Sequence, residues 1–189
     1  MQRSKVKKFA SYAILIFLIL WGSASFFVFP TAPVAQWSML IVSLIAIYLT
    51  IVSSSEYFVL LYITISNSYL LYGLLFTYGF PLWIIMVGLV IFLGSGFWLL
   101  GRKMVSEKTN FSLILILFLL SMLEIYLALS FWLINPLTRS TVLATVAYIF
   151  YGYLASTSSD VFVTRRFYAY LYVAAAVFLV LILTVSWGR

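Results

Sequence analysis

Residues 57–100 read YFVLLYITISNSYLLYGLLFTYGFPLWIIMVGLVIFLGSGFWLL. From Tyr57 to Leu100 this run is about twice the length of one membrane crossing, because an α-helix rises about 1.5 Å per residue and needs roughly 20 apolar residues to cross the hydrocarbon core. Gly79 and Pro81 place a turn signal at its centre. The run therefore divides into two spans, Tyr57 to Tyr78 and Phe80 to Leu100.

Five further apolar runs flank this pair: Phe9 to Phe29, Val34 to Val52, Phe111 to Ile134, Leu137 to Ala155 and Phe167 to Trp187. Reading all seven as helices leaves almost nothing outside a bilayer. The chain is 66% hydrophobic, where soluble domains lie near ~45–50%. The predicted fold is an all-α integral membrane bundle of seven transmembrane helices, with residues 1–189 forming a single domain.

Charge sets the expected orientation. With seven spans, one side receives Arg3, Lys5, Lys7, Lys8, Arg102, Lys103, Lys108, Arg165 and Arg166, and the other only Arg139 and Arg189, which together make up the 11 basic residues. Nine against two predicts a cytoplasmic N-terminus and an outside C-terminus, with the plasma membrane as the expected location. Dropping a span would swap every later cluster, so the bias also supports the count of seven. Trp37, Trp83, Trp132 and Trp187 fall near the predicted outer interface, where indoles settle among head groups.

The N-terminus admits a second reading. Lys5, Lys7 and Lys8, the apolar core Ala13 to Trp21 and the small residues Gly22-Ser23-Ala24 resemble a secretory signal peptide. Continuation of the run through Phe29 makes it long enough to span, so a retained helix is expected.

Composition removes whole classes of chemistry. There is no Cys and no His, so thiolate or imidazole metal sites, His-based triads and His proton shuttles are excluded. No cofactor is expected. The net charge of +7 sits in short clusters at span ends rather than along a solvated face, which argues against nucleic acid and for the lipid bilayer as partner.

A weak internal repeat is visible. Pro33 is followed fifteen residues later by Tyr48, and Pro136 at the same interval by Tyr151. Both helices run into hydroxyl-rich turns with an acid, Ser53-Ser54-Ser55-Glu56 and Ser156-Thr157-Ser158-Ser159-Asp160, followed by Phe58 and Phe162. This predicts a 3+1+3 parallel pseudo-repeat, an arrangement used by some transporters. The plan is similar to that of the sugar-transporter and PQ-loop type seven-helix proteins, but the first and fifth helices lack a Pro-Gln pair and the predicted N-terminus lies inside rather than outside.

Glu124 is the one ionisable residue placed near the middle of a span. Its cost there, roughly 2.5 kcal/mol or more, predicts an inward face and a neutral carboxyl. Ser121, Glu124, Ala128 and Asn135 form a small, polar stripe to match. Partners are sought at similar depth: Thr64, Ser66, Asn67 and Ser68 on the third helix, and Thr141, Thr145, Tyr148 and Gly152 on the sixth. Asn135-Pro136 reads as an N-cap with proline at the first helical position, bringing Arg139 beside the fifth helix at roughly 10 Å from the depth of Glu124. The candidate intramembrane cluster is therefore Glu124, Ser121, Asn67, Ser68, Thr145, Tyr148 and Arg139. Arg165, Arg166, Arg102 and Lys103 are candidates for lipid head-group contact.

Three functions fit these residues. The preferred expectation is a non-catalytic accessory, assembly or scaffold component meeting other membrane proteins or copies of itself. The alternative is a small-solute or ion transporter or channel with a polar site around Glu124. An enzyme ranks last, because neither a catalytic dyad nor a metal cluster can be assembled from these residues.

Overall fold

The structure, a computed structural model, describes residues 2–29, 33–52, 55–103, 110–132, 134–157 and 164–184. They form seven helices: α1 (Gln2–Val28), α2 (Pro33–Val52), α3 (Glu56–Tyr78), α4 (Leu82–Gly101), α5 (Phe111–Ser130), α6 (Pro136–Thr157) and α7 (Thr164–Thr184). Ser53, Ser54, Lys108, Ser158 to Asp160, Phe162, Trp187 and Arg189, on which parts of the sequence reading rest, lie outside the described residues.

Local chemistry accounts for the helix boundaries. Gly79 ends α3 in the left-handed conformation at φ 65°, its N–H bonded to the Leu74 carbonyl. The Phe80 N–H bonds the same carbonyl at 3.2 Å, so the backbone reverses where only glycine is unstrained. Asn135 caps α6 as the sequence predicts, its Oδ1 accepting the Leu137 N–H at 2.9 Å, with Pro136 opening the helix. The fifth helix ends at Ser130, short of the expected Ile134.

Five helices, α1, α3, α4, α5 and α7, contain stretches long and apolar enough to cross a membrane. The apolar part of α2, Gln36–Val52, is shorter. In α6 the apolar character is diluted by Arg139, Ser140, Thr141 and Thr145. That dilution is tolerated because α6 packs along α3, against which it makes the most extensive helix–helix contact of the bundle. Successive helices reverse direction. Tyr57 at the start of α3 meets Tyr151 late in α6, Phe97 of α4 stacks on Phe118 of α5, and Tyr153 of α6 meets Phe167 of α7.

The third helix is the axis of the bundle, contacting α1, α2, α4 and α6. Small residues bring its neighbours close. A Cβ on Gly22 of α1 would stand 2.9 Å from Asn67 Nδ2, and one on Gly152 of α6 would fall onto the Tyr170 ring of α7. The glycines of α4 serve packing too, Gly94 facing Leu119 of α5 and Gly96 facing Ile63 of α3.

This packing does not repeat. In the first triplet α1 lies tightly along α3, whereas α5 and α7 make no comparable contact. The third helix is the most buried candidate span and its supposed counterpart α7 the least. Even the residues that suggested the repeat sit in opposite environments, Tyr48 being 63% exposed and Tyr151 3%. The shared Pro–Tyr spacing thus reflects two helices with similar starts rather than two equivalent bundles.

Candidate functional site

The seven candidate residues of the polar cluster fall into four separate places. Asn67 belongs to the seam between α1 and α3, where its amide donates to the Leu18 carbonyl at 3.1 Å and to Ile63 at 2.9 Å. On the same seam, the hydroxyls of Ser23 and Tyr62 share a 2.7 Å hydrogen bond. Ser68 is fully buried, and its hydroxyl, like Asn67 Oδ1, has no partner among the described residues. This seam ties α1 to α3 rather than answering Glu124.

Arg139 anchors the second place, at the end of the bundle where α6 begins. It is 5% exposed, and its guanidinium lies over the rings of Phe76 at 4.3 Å and Tyr72 at 5.4 Å. One terminal nitrogen, Nη2, donates to the Trp132 carbonyl, so the cation closes the carbonyl end of α5, where helix dipoles favour positive charge. Nε and Nη1 have no partner among the described residues. Tyr72 of α3 stacks on Tyr126 of α5 in the same place. Both tyrosines lie outside the cluster expected from the sequence, although Phe118, Met122 and Tyr126 recur at the four-residue interval of a buried helix face.

Thr145 and Tyr148 lie in the third place, a cleft between α3, α6 and α7. Thr145 Oγ1 is turned back onto the Thr141 carbonyl at 2.8 Å, and Tyr148 packs on Tyr170 of α7 with centroids 5.0 Å apart. Tyr57, Leu61, Thr145, Tyr148 and Val177 are among the residues lining about 230 Å³ of mostly apolar space.

Glu124 and Ser121 stand apart from all three. Glu124 is exposed on the outward side of α5 and Ser121 is half-buried, which corrects the expectation of an inward carboxyl. The buried side of α5 is Ile114, Phe118, Met122, Tyr126 and Leu129. Bulky aromatic and aliphatic groups fill the space toward α4 and α6, while the small and polar stripe turns out. Neither expected partner reaches Glu124: Asn67 is bonded to α1, and Arg139 is held by Trp132 and the aromatic rings.

The four head-group candidates also separate. Lys103 forms an ion pair with Glu56 at 3.1 Å, joining the end of α4 to the start of α3. Arg102 lies over the Trp98 ring at 5.1 Å. Arg165 and Arg166 are exposed at the start of α7, and Arg166 alone of the four borders the α3/α6/α7 cleft, at its wider mouth. Trp37, Trp83 and Trp132 are exposed at the opposite end, where α2 and α4 begin and α5 ends.

No family model, curated protein or solved structure matches the chain.

Proposed function

We propose that this is a seven-span, non-catalytic membrane protein, N-terminus cytoplasmic and C-terminus outside, that acts by docking another membrane protein against the outward face of α5. The orientation is supported by the nine-to-two division of basic residues. Exposed Trp37, Trp83 and Trp132 at the outer end suit it as well.

The observation that carries the docking is the exposure of Glu124. Leu113, Ile116, Leu117 and Leu120 share its outward face, and against lipid tails these leucines and isoleucine cost nothing. A carboxyl does cost: charged side chains are disfavoured by about 2.5–3.5 kcal/mol at a span centre, and by less toward either interface. Glu124 lies six residues before the end of α5, or about 9 Å from the outer interface if the helix ends there. It is therefore the one group on this face whose energy changes sharply when lipid is replaced by a partner. That partner is a transmembrane helix with a hydrogen-bond donor or cation at the same depth and small residues around it.

A photoreactive residue at Leu120, one turn from Glu124, tests the docking in native membranes. A discrete protein adduct should form, persist in Glu124→Gln, which keeps a hydrogen-bonding amide, and disappear in Glu124→Leu. Adducts to lipid alone, or an adduct indifferent to Glu124, would count against it. An adduct of twice the chain mass would replace the partner with a second copy.

A second reading, a solute or ion transporter, draws on the unpaired Asn67 Oδ1 and Ser68 Oγ inside α3. It is the weaker one because Glu124 is turned away from both.

A further inference from the structure

A groove runs along α7 from the end where α3 and α7 begin toward the middle of the bundle. Its mouth, about 450 Å³, is bordered by Tyr57, Tyr148, Tyr170 and Arg166. Its deeper part is bordered by Leu61 and Ile65 of α3, Ala144 of α6 and Val177 of α7. The groove exists because α7 packs along α6 alone to any extent. Ala174 is the buried contact of its middle turns, flanked by exposed Val173, Ala175 and Ala176.

We propose that this groove holds one acyl or alkyl tail of an anionic lipid, whose head-group phosphate is bound by Arg166 with help from the hydroxyls of Tyr57, Tyr148 and Tyr170. The polarity is graded in the required direction, with a cation and three phenols at the mouth and aliphatic side chains below. None of the three hydroxyls makes a hydrogen bond within the described residues, and Arg166 forms no ion pair among them. Arg102 and Lys103, by contrast, are already engaged on Trp98 and Glu56.

Length fits as well as charge. From Arg166 to Val177 α7 advances eleven residues, about 16 Å at ~1.5 Å each. Half of a hydrocarbon core about 30 Å thick is about 15 Å, the depth of one lipid tail. With the orientation proposed above, the mouth opens at the cytoplasmic leaflet, where anionic lipids concentrate. A phosphate there accepts charge-assisted hydrogen bonds from guanidinium and phenol alike.

The test is thermal unfolding of the full chain in mild detergent, titrated with phosphatidylglycerol, phosphatidylcholine or inorganic phosphate. Phosphatidylglycerol should raise the melting temperature and saturate at one lipid per chain, counted by native mass spectrometry. Phosphatidylcholine should give a small part of that shift and inorganic phosphate none. Arg166→Gln should remove the preference for phosphatidylglycerol, Arg166→Lys should keep part of it, and Arg165→Gln, which alters the neighbouring charge outside the groove, should leave it intact. Val173→Trp fills the groove from an already exposed position and should abolish the response without lowering the lipid-free melting temperature. Equal shifts from both lipids, or a phosphatidylglycerol shift that survives Arg166→Gln or Val173→Trp, would overturn the assignment. A shift reproduced by inorganic phosphate would reduce it to an anion site without a tail.

Discussion

The ring of Tyr72 in α3 lies flat against that of Tyr126 in α5, centroids 4.1 Å apart and planes 9° from parallel. The two backbones are not close neighbours, so the stacked phenols bridge them, and the Arg139 guanidinium rests over Tyr72 beside the stack. The two hydroxyls differ. Tyr72 donates to the Tyr126 carbonyl at 3.4 Å, while the Tyr126 hydroxyl has no partner among the described residues.

That difference gives opposite outcomes for one substitution. Tyr126→Phe removes an unpaired buried hydroxyl and should leave stability unchanged or slightly raised, whereas Tyr72→Phe loses a long hydrogen bond and should cost up to about 1 kcal/mol. Tyr126→Ala should cost about 3–5 kcal/mol by emptying the bridge. Thermal unfolding of the three variants in detergent measures all of them. A Tyr126→Phe variant weaker than Tyr72→Phe would mean that the Tyr126 hydroxyl has a partner after all.

Two glycines separate steric from conformational strain. A methyl at Gly22 meets the Asn67 amide and the Ser66 hydroxyl across the α1/α3 seam, so Gly22→Ala should cost about 1–3 kcal/mol. At Gly79 nothing lies within 4 Å, and only the left-handed backbone resists a side chain. Gly79→Ala should cost about 1–2 kcal/mol and Gly79→Asn distinctly less, since asparagine tolerates that conformation. Comparable losses for Ala and Asn at position 79 would show that the turn is held by something other than its dihedral angles.

Orientation is tested by reporter fusions. A reporter active only in the cytoplasm should work in the loop around Lys103 and be silent after Arg189. The reverse pattern would invert the protein, and activity at both sites would break the count of seven spans.

Sequence and structure agree on elements and part company on faces. Where helices begin and end depends on local chemistry, and Gly79 and Asn135-Pro136 mark turns that the chain makes as read. Which side of a helix is buried depends on a contrast between core and surroundings, and in a bilayer both are apolar. On α5 the polar stripe of Ser121, Glu124 and Ala128 therefore looked like an interior face, yet Phe118, Met122 and Tyr126 fill the interior. The same loss of contrast let Tyr48 and Tyr151 pass for equivalent positions when one is exposed and the other buried. The Arg139 site was half legible: Asn135-Pro136 placed the arginine beside α5, but the aromatic rings beneath it come from α3, far away in sequence.

The most direct test of the docking account is to compare Glu124→Leu and Glu124→Gln for two quantities at once, the melting temperature of the purified chain and the size of its complex in native membranes. Because Glu124 points outward, Glu124→Leu should melt at or above the temperature of the unaltered chain yet lose the complex, while Glu124→Gln should keep both. A Glu124→Leu chain that unfolds more readily, or one that retains a complex of unchanged size, would contradict it.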